Sequence, residues 1–201
     1  MNIVKPESGE LKRAAEILRG GGIVIYPTDT LYGIGADATN DAAKERIFGV
    51  KGRESSKTFL ACFSGIEQAR EYVKVSNDAR KIAEEFLPGP LTLVLPQRKE
   101  LRFISKDGKI AVRIPDNEAA LTLAKLLGRP ITSTSANISG KKEPAAISDI
   151  DSEVMEKCDF VIDGGKCKYS KPSTILDVEE RKILREGAVS RLQLQKLGFA
   201  D

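Results

Sequence analysis

Residues 10–35 read ELKRAAEILRGGGIVIYPTDTLYGIG, and this stretch decides the fold class. Apolar side chains recur at helical spacing from Glu10 to Arg19, and the glycines at 20–22 end the predicted helix. The run Ile23–Tyr26 is rich in β-branched residues, which predicts a buried strand. A helix that leads through a glycine stop into a buried strand is typical of α/β proteins.

The same alternation continues along the rest of the chain. Helices are predicted from residue 40 or 41 to 48, after a capping-box pattern at Ser64–Glu67, and over residues 76–86 and 117–127. Strands are predicted over residues 58–63, 91–95, 110–114, 160–162, 174–178 and 182–185, and another begins at Ile131. No linker or repeat interrupts the 201 residues. We therefore expect one α/β domain over residues 1–201, built on a twisted mixed sheet with flanking helices.

Composition limits the classes of function. The N-terminus has no secretory or transit signal and no apolar run is long enough for a membrane helix, so we expect a cytoplasmic protein with no membrane contact. The three cysteines form no CxxC pair, which disfavours a disulfide framework and a thiolate zinc site and favours buried, free thiols. The net charge of +3 comes from 32 basic and 29 acidic residues and does not by itself predict nucleic-acid binding.

The chain contains no histidine. Catalytic triads that need imidazole, HExxH zinc sites and histidine proton shuttles are therefore excluded. Chemistry must use lysine, arginine, carboxylates, hydroxyls and backbone amides, and we predict no protein-held metal site. Such groups suit the binding of polyanions and phosphate transfer, in which positioning and charge stabilisation supply most of the catalysis.

Four segments at predicted strand ends carry these groups. Residues 27–35 (PTDTLYGIG) offer hydroxyls and flexible backbone, either for a ligand or for an ordinary turn. Residues 51–57 (KGRESSK) form either a phosphate cradle or a solvated basic loop, and they do not match the P-loop pattern. Arg113 lies on the strand face opposite Val112 and Ile114, where it either meets a ligand or faces solvent. Residues 131–140 (ITSTSANISG) place hydroxyls and an amide on alternate positions at one strand end, and a ligand site is favoured there.

Six segments together carry a family resemblance. They are PTDTLYGIGADAT at 27–39, KGR at 51–53, PGPLTLVL at 88–95, VRIP at 112–115, TSAN-SG at 134–140 and PSTILD at 172–177. In this order, across nearly the whole chain, they resemble the YrdC-domain proteins. The resemblance implies a YrdC-like single domain with a basic concave active-site face.

Family members that act as threonylcarbamoyl-AMP synthases have this short single-domain form or carry an added C-terminal domain, and this chain resembles the short form. The implied reaction joins L-threonine, bicarbonate and ATP to give L-threonylcarbamoyladenylate and pyrophosphate, with Mg²⁺ accompanying ATP. It is the first step of N6-threonylcarbamoyladenosine formation on tRNA, which a separate threonylcarbamoyl transferase complex completes. The resemblance thus implies a nucleotidyltransferase, and the sequence leaves the oligomeric state, including a homodimer, open.

The resemblance also implies residue roles. Catalytic contacts with ATP phosphates fall to Lys51 and Arg53, and the further nucleotide contacts to Lys57, Ser135, Asn137 and Arg185. The threonine contacts fall to Thr30, Cys62, Arg113, Ser133 and Ser173. Arg113 is expected to pair with the threonine carboxylate, which suits a guanidinium fork.

The chain departs from the family pattern near two of these positions. Glu54 replaces a common proline after KGR, residues 57–59 read Lys-Thr-Phe instead of Asn-Pro-Leu, and Cys62 stands where many members have a histidine near threonine. Two other functions stay open: a module that binds double-stranded RNA or tRNA with a steep salt dependence, and a nucleotide-hydrolysing relative that does not need threonine.

Overall fold

The structure is a computed structural model that describes residues 3–52 and 58–199. The strands are β1 (Ile3–Val4), β2 (Val24–Tyr26), β3 (Gly33–Gly35), β4 (Leu60–Cys62), β5 (Leu91–Pro96), β6 (Lys109–Arg113), β7 (Ile131–Ser135), β8 (Phe160–Ile162), β9 (Thr174–Asp177) and β10 (Lys182–Arg185). The helices are α1 (Ser8–Arg19), α2 (Asp41–Lys51), α3 (Ile66–Arg70), α4 (Asn77–Phe86), α5 (Glu118–Leu127), α6 (Ser152–Glu156) and α7 (Arg191–Gln195). A short 3₁₀ turn, Ile147–Asp149, precedes α6.

The strands form one sheet in the order β1-β8-β2-β3-β7-β4-β6-β5-β9-β10. Four neighbouring pairs, β1–β8, β2–β8, β4–β6 and β5–β9, are parallel. The other five pairs are antiparallel. The predicted α/β class with a mixed sheet is therefore confirmed, and the pairing joins strands that are far apart in the chain, such as β3 with β7.

Strand β2 is buried on both faces because helices cover each side of the sheet. Its alternate residues point to opposite faces, so Val24 and Tyr26 pack with α1 and α5 while Ile25 joins the larger core on the other face. Leu18 and Leu123 bring α1 and α5 together over that first face. The continuous apolar run that the sequence showed at this strand is thus explained by two-sided burial.

Three of the predicted helices begin next to a side-chain cap. The side chains of Asn40, Ser76 and Asn117 accept from the third backbone N–H of α2, α4 and α5. The capping box predicted at Ser64–Glu67 is wrong. Instead, Ser64 donates from its backbone N–H and its hydroxyl to Gln68 Oε1, at 2.8 and 3.2 Å. The side chain that reaches back to Ser64 is thus that of Gln68, one residue after the expected Glu67.

Strand β3 lies in the segment that the sequence suggested was a loop. It pairs antiparallel with both β2 and β7, and its two glycines lie against the Tyr26 ring. A Cβ on Gly35 would lie 2.6 Å from a ring carbon of Tyr26 and from a methyl of Ile131. Glycine weakens strand propensity, so the local pattern concealed a strand that close packing of the neighbouring strands requires.

All three cysteines are buried and free, as predicted. Burial raises the pKa of the Cys158 thiol to about 12 and that of the Cys167 thiol to about 11. Both thiols therefore stay protonated and act as small apolar groups near neutral pH.

Candidate active site

A cavity of about 720 Å³ is lined by residues of seven adjacent strands, β3, β7, β4, β6, β5, β9 and β10. The alternation of side chains along strand β6 shows how the sequence forms this cavity. Lys109, Ala111 and Arg113 line the cavity, while Val112 between them is fully buried in the core. The volume lies in the range of sites for small-molecule ligands.

Arg113 and Asp29 form a buried ion pair at the floor of the cavity. Arg113 is 3% exposed and Asp29 2% exposed, and Arg113 Nη2 donates to Asp29 Oδ1 at 2.5 Å. The same nitrogen lies 3.4 Å from the Thr30 hydroxyl. Arg113 therefore does not face solvent, which was the alternative that the sequence left open. Its guanidinium is held from one side by a carboxylate while the side chain lines the cavity.

The segment between β2 and β3 forms a turn that is closed by Thr28. Its hydroxyl donates to the Leu31 carbonyl at 2.6 Å and accepts from the backbone N–H groups of Thr30 and Leu31, both at 3.1 Å. The Thr30 hydroxyl lies 3.0 Å from that of Thr28. This local network fixes the turn and holds Thr30 beside Arg113, so the turn and ligand interpretations of this segment are compatible.

A thiol and a hydroxyl form another part of the floor. Cys62 on β4 and Ser133 on β7 line the cavity, with the fully buried Tyr26 behind them. Desolvation raises the pKa of Cys62, although hydrogen bonds to Tyr26 and Ser133 and the charge of Arg113 oppose the rise. Desolvation likewise raises the pKa of Tyr26. The Cys62 thiol and the Ser133 hydroxyl therefore present uncharged polar atoms to the cavity.

The buried ammonium group of Lys51 binds oxygen atoms at the end of β7 and just after it. It is 3% exposed, and its ammonium donates to the Ser135 carbonyl at 2.5 Å and to the Asn137 carbonyl and side-chain oxygen at 2.9 and 3.1 Å. The Ser135 hydroxyl donates to the same Asn137 oxygen at 2.7 Å. One buried cation thus ties the last residue of α2 to the segment that follows β7.

Ser173 and Arg185 meet at the opposite wall. Arg185 donates to the Ser173 carbonyl from Nε and Nη2, at 3.2 and 2.9 Å, and to its hydroxyl from Nη2 at 3.2 Å. The Ser173 hydroxyl lies 2.8 Å from that of Thr92 on β5. Desolvation lowers the pKa of Arg185, the charge of Glu143 opposes this shift, and Arg113 adds to it. Two guanidinium groups therefore act on the same cavity.

The structure brings together most of the residues that the sequence singled out. Seven of them line the cavity: Thr30, Cys62, Arg113, Ser133, Ser135, Ser173 and Arg185. Lys51 and Asn137 lie behind Ser135 and support it. Arg53 and Lys57, together with the departure at Glu54, lie outside the described residues, so their placement stays a prediction.

Several polar groups in or next to this cavity were not predicted. Asp29 and Thr92 do not line it but contact the lining residues Arg113 and Ser173. Thr92 is the one polar residue in the apolar run LTLVL, which is the signal that could have identified it. Lys109 shares the period-two face of Arg113, and it is paired with Asp177 at 2.9 Å. The described lining residues carry four cations, Lys106, Lys109, Arg113 and Arg185, and three carboxylates, Asp107, Glu143 and Asp177. The charge of the described part of this face is therefore mixed, with a small basic excess.

Two further findings concern the described ranges, 3–52 and 58–199. They contain no cluster of three or more cysteine, aspartate or glutamate side chains arranged to hold a metal ion. None of their helices has the length and apolar character needed to cross a membrane.

Comparison with known proteins assigns the chain to a family. A family model that groups the Sua5, YciO and YrdC proteins, and that carries the description telomere recombination, matches residues 16–187. The chain belongs to this Sua5/YciO/YrdC family. The matched range includes every cavity-lining residue and the segments at 27–39, 88–95 and 134–140 that carried the resemblance.

Two curated relatives show how far the likeness extends. A Methanocaldococcus jannaschii protein, provisionally named as a threonylcarbamoyl-AMP synthase, is 43% identical over 194 residues, which cover 94% of this chain and 91% of that protein. The threonylcarbamoyl-AMP synthase of Pyrococcus abyssi is 36% identical over 95% of this chain. This chain spans only 58% of the length of the Pyrococcus protein.

Two solved structures share the fold. The crystal structure of Pyrococcus abyssi Sua5 in complex with L-threonine matches with a TM-score of 0.92 and 34% identity, over 98% of this chain and 61% of that one. The crystal structure of Escherichia coli YciO matches with a TM-score of 0.82 and 28% identity, over 94% of both chains. The sheet and its flanking helices are therefore those of the Sua5 and YciO proteins.

Proposed function

We propose that this protein is an L-threonylcarbamoyladenylate synthase, which converts L-threonine, bicarbonate and ATP into L-threonylcarbamoyladenylate and pyrophosphate. The observation that carries the proposal is the cavity floor, where a buried arginine is paired with Asp29 and lies beside hydroxyl and thiol groups. The 43% and 36% identical relatives named for this activity, and the threonine complex of the similar Pyrococcus protein, support it.

Threonine is proposed to bind with its carboxylate toward Arg113. The guanidinium can offer N–H groups beyond the one that Asp29 accepts, and carboxylates bind well to such planar donors. The remaining polar groups near it, Thr30, Cys62 and Ser133, fit a small substrate that carries a hydroxyl. The smaller volume of Cys62, compared with the histidine of many family members, leaves more room at this position.

ATP is proposed to bind toward Ser135 and Arg185. Arg185 is exposed at the end of β10 and supplies donors for phosphate oxygens, and Ser135 is held in place through Asn137 by Lys51. The structure supports a positioning role for Lys51. Direct contacts of Lys51, Arg53 and Lys57 with phosphates remain predictions from the KGR segment.

The proposed reaction has two steps. The threonine amine attacks the carbon of bicarbonate, a proton and the elements of hydroxide leave as water, and N-carboxy-threonine forms. Its new carboxylate oxygen then attacks the α-phosphorus of ATP, the bond from that phosphorus to the bridging β-oxygen breaks, and pyrophosphate departs. The chemistry needs no imidazole, in agreement with a chain that lacks histidine.

These side chains must mainly lower the electrostatic repulsion between an anionic nucleophile and the polyphosphate. One pair of unit charges about 4 Å apart costs about 4 kcal/mol at an effective dielectric near 20. Arg113 and Arg185 would offset part of that cost. Mg²⁺ is proposed to enter as the complex with ATP, because Mg²⁺ is commonly held through substrate phosphates and the described residues provide no three-ligand cluster.

The product carries an activated carbamoyl group, which must be transferred to an acceptor. We propose that a separate threonylcarbamoyl transferase complex consumes it in the modification of tRNA, and that both proteins work in the cytoplasm. In this proposal tRNA takes part downstream, as the acceptor that the transferase complex modifies.

The test is pyrophosphate release by the purified protein with MgATP, with threonine and bicarbonate omitted in turn. Release that needs both co-substrates is expected. Release that is indifferent to threonine would instead indicate a nucleotide-hydrolysing relative. Absence of release together with salt-sensitive binding of double-stranded RNA would indicate a binding module.

A further inference from the structure

Thr92 is a buried polar residue that has no role in the proposed reaction. It lies in the middle of β5, is 0% exposed, and has leucine neighbours on both sides in the chain. Within the described part of the chain, its hydroxyl has one hydrogen-bond partner, the Ser173 hydroxyl at 2.8 Å. A threonine in a fully buried strand position needs such a partner, because an unpaired buried hydroxyl is costly.

The sheet register places this hydroxyl pair beside Arg113. Thr92 on β5 is directly opposite Arg113 on β6 and is also in register with Ile175 on β9. Directly opposed residues of an antiparallel pair point to the same face, so Thr92 points to the face of the sheet on which Arg113 lines the cavity. Ser173, immediately before β9, lines the same cavity.

Counting donors decides which way the hydroxyl pair is oriented. Arg185 can only donate, so its 3.2 Å contact with the Ser173 oxygen occupies one acceptor position there. If Ser173 donated to Thr92, the proton of Thr92 would have no acceptor among the described residues. If Thr92 donates to Ser173, both acceptor positions of the Ser173 oxygen are filled and every proton but one is satisfied.

The remaining proton belongs to Ser173, which lines the cavity and is 4% exposed. With both acceptor positions filled, Ser173 can act only as a hydrogen-bond donor toward a ligand. Its partner must therefore be an acceptor such as a carboxylate oxygen, and cannot be the ammonium group of an amino acid.

We propose that Thr92 is a positioning residue, which orients the Ser173 hydroxyl as a donor to the carboxylate of the amino-acid substrate that Arg113 also binds. The inference rests on the proposed function for the identity of that substrate. It assigns the amino-acid carboxylate to the space between Arg113 and Ser173, and it directs the ammonium group toward other acceptors.

The experiment compares Thr92→Val with Thr92→Ser by calorimetric titration of L-threonine. Valine keeps the shape and strand preference of threonine but lacks the donor, whereas serine keeps the donor. Thr92→Val is expected to weaken threonine binding about fivefold, the usual effect of one hydrogen bond. Thr92→Ser is expected to stay within twofold of the wild type, and ATP binding is expected to stay unchanged in both variants.

A double-mutant cycle with Ser173→Ala separates positioning from general damage to the fold. If Thr92 acts through Ser173, adding Thr92→Val to Ser173→Ala leaves the affinity for threonine within twofold of that of Ser173→Ala alone. Wild-type affinity in Thr92→Val, or the same fivefold loss in both backgrounds, would overturn the inference. Failure of the wild-type protein to bind threonine would overturn the proposed function, and this inference with it.

Discussion

At the scale of single residues, the proposed binding of threonine depends on Arg113. Its guanidinium must satisfy a buried carboxylate and a ligand at once, and only a planar group with several N–H donors can do both. The sequence predicted that Arg113 would bind a carboxylate because VRIP carried the resemblance. It could not show the internal partner Asp29, which is 84 positions away in the chain.

The variant Arg113→Lys tests this division of donors. A lysine ammonium that pairs with Asp29 keeps the charge but loses the fork, so the KM for threonine is expected to rise at least tenfold, a loss of about 1.4 kcal/mol. Steady-state kinetics with saturating ATP measures it. Arg129→Lys is the matched control, because Arg129 pairs with the buried Asp37 outside the cavity. A KM that rises equally in both variants would contradict a special role for Arg113.

Buried thiols give a second residue-scale prediction. A free thiol has a pKa of about 8.5, whereas desolvation raises the pKa of Cys158 to about 12 in the folded protein. Above pH 9 the unfolded chain releases a proton that the native protein keeps, so the free energy of unfolding falls as the pH rises toward 12. Each such thiol contributes up to about 1.4 kcal/mol per pH unit.

Chemical denaturation of Cys158→Ala and the wild type between pH 8 and 11 measures this contribution. The variant is expected to be less stable at pH 8 but to lose less stability as the pH rises. Equal pH slopes in the two proteins would show that Cys158 does not titrate differently in the folded and unfolded states.

At the scale of elements, β3 shows where local patterns stop being informative. Helices with caps and glycine stops were predictable because their signals lie within a few residues, as for α4 and α5. Gly33 and Gly35 have poor strand propensity, and their strand exists because β2 and β7 approach from both sides. That approach depends on residues about 100 positions away in the chain.

Gly35→Ala therefore is expected to be destabilising. The added methyl would meet the Tyr26 ring and Ile131 at 2.6 Å, so the strands must move apart at a cost of about 1–3 kcal/mol. Gly49→Ala is the control, because Gly49 lies on an exposed position of α2 with open space around it and an alanine there is expected to add up to about 1 kcal/mol. Urea denaturation measures both, and a neutral Gly35→Ala would contradict the close approach.

The contact between α2 and the end of β7 is a second feature at this scale. Replacing Lys51 with methionine leaves the carbonyls of Ser135 and Asn137 without their shared donor. Backbone amides over residues 135–141 are expected to exchange with deuterium at least tenfold faster in Lys51→Met. Lys44→Met, which removes another buried lysine with carbonyl partners, is expected to leave that segment unchanged. Unchanged exchange in Lys51→Met would show that Lys51 does not hold this segment.

At the scale of the whole molecule, the cavity combines parts of the chain from residue 28 to residue 185. The sequence predicted that helices and strands alternate, and composition excluded whole classes of chemistry. It did not predict the strand order, because pairings such as β5 with β9 depend on the packing of the complete sheet. For the same reason the family resemblance identified the polar segments, but only the folded structure shows how close together they lie.

The proposed synthase activity is tested most directly by mass spectrometry of the product made with ¹³C-labelled bicarbonate, L-threonine and MgATP. The expected product is a threonylcarbamoyladenylate that is one mass unit heavier than the unlabelled product. It is not formed without threonine, and less of it is formed by Arg113→Lys at low threonine concentration. A protein that consumes ATP while the label enters no adenylate product would contradict the proposed activity.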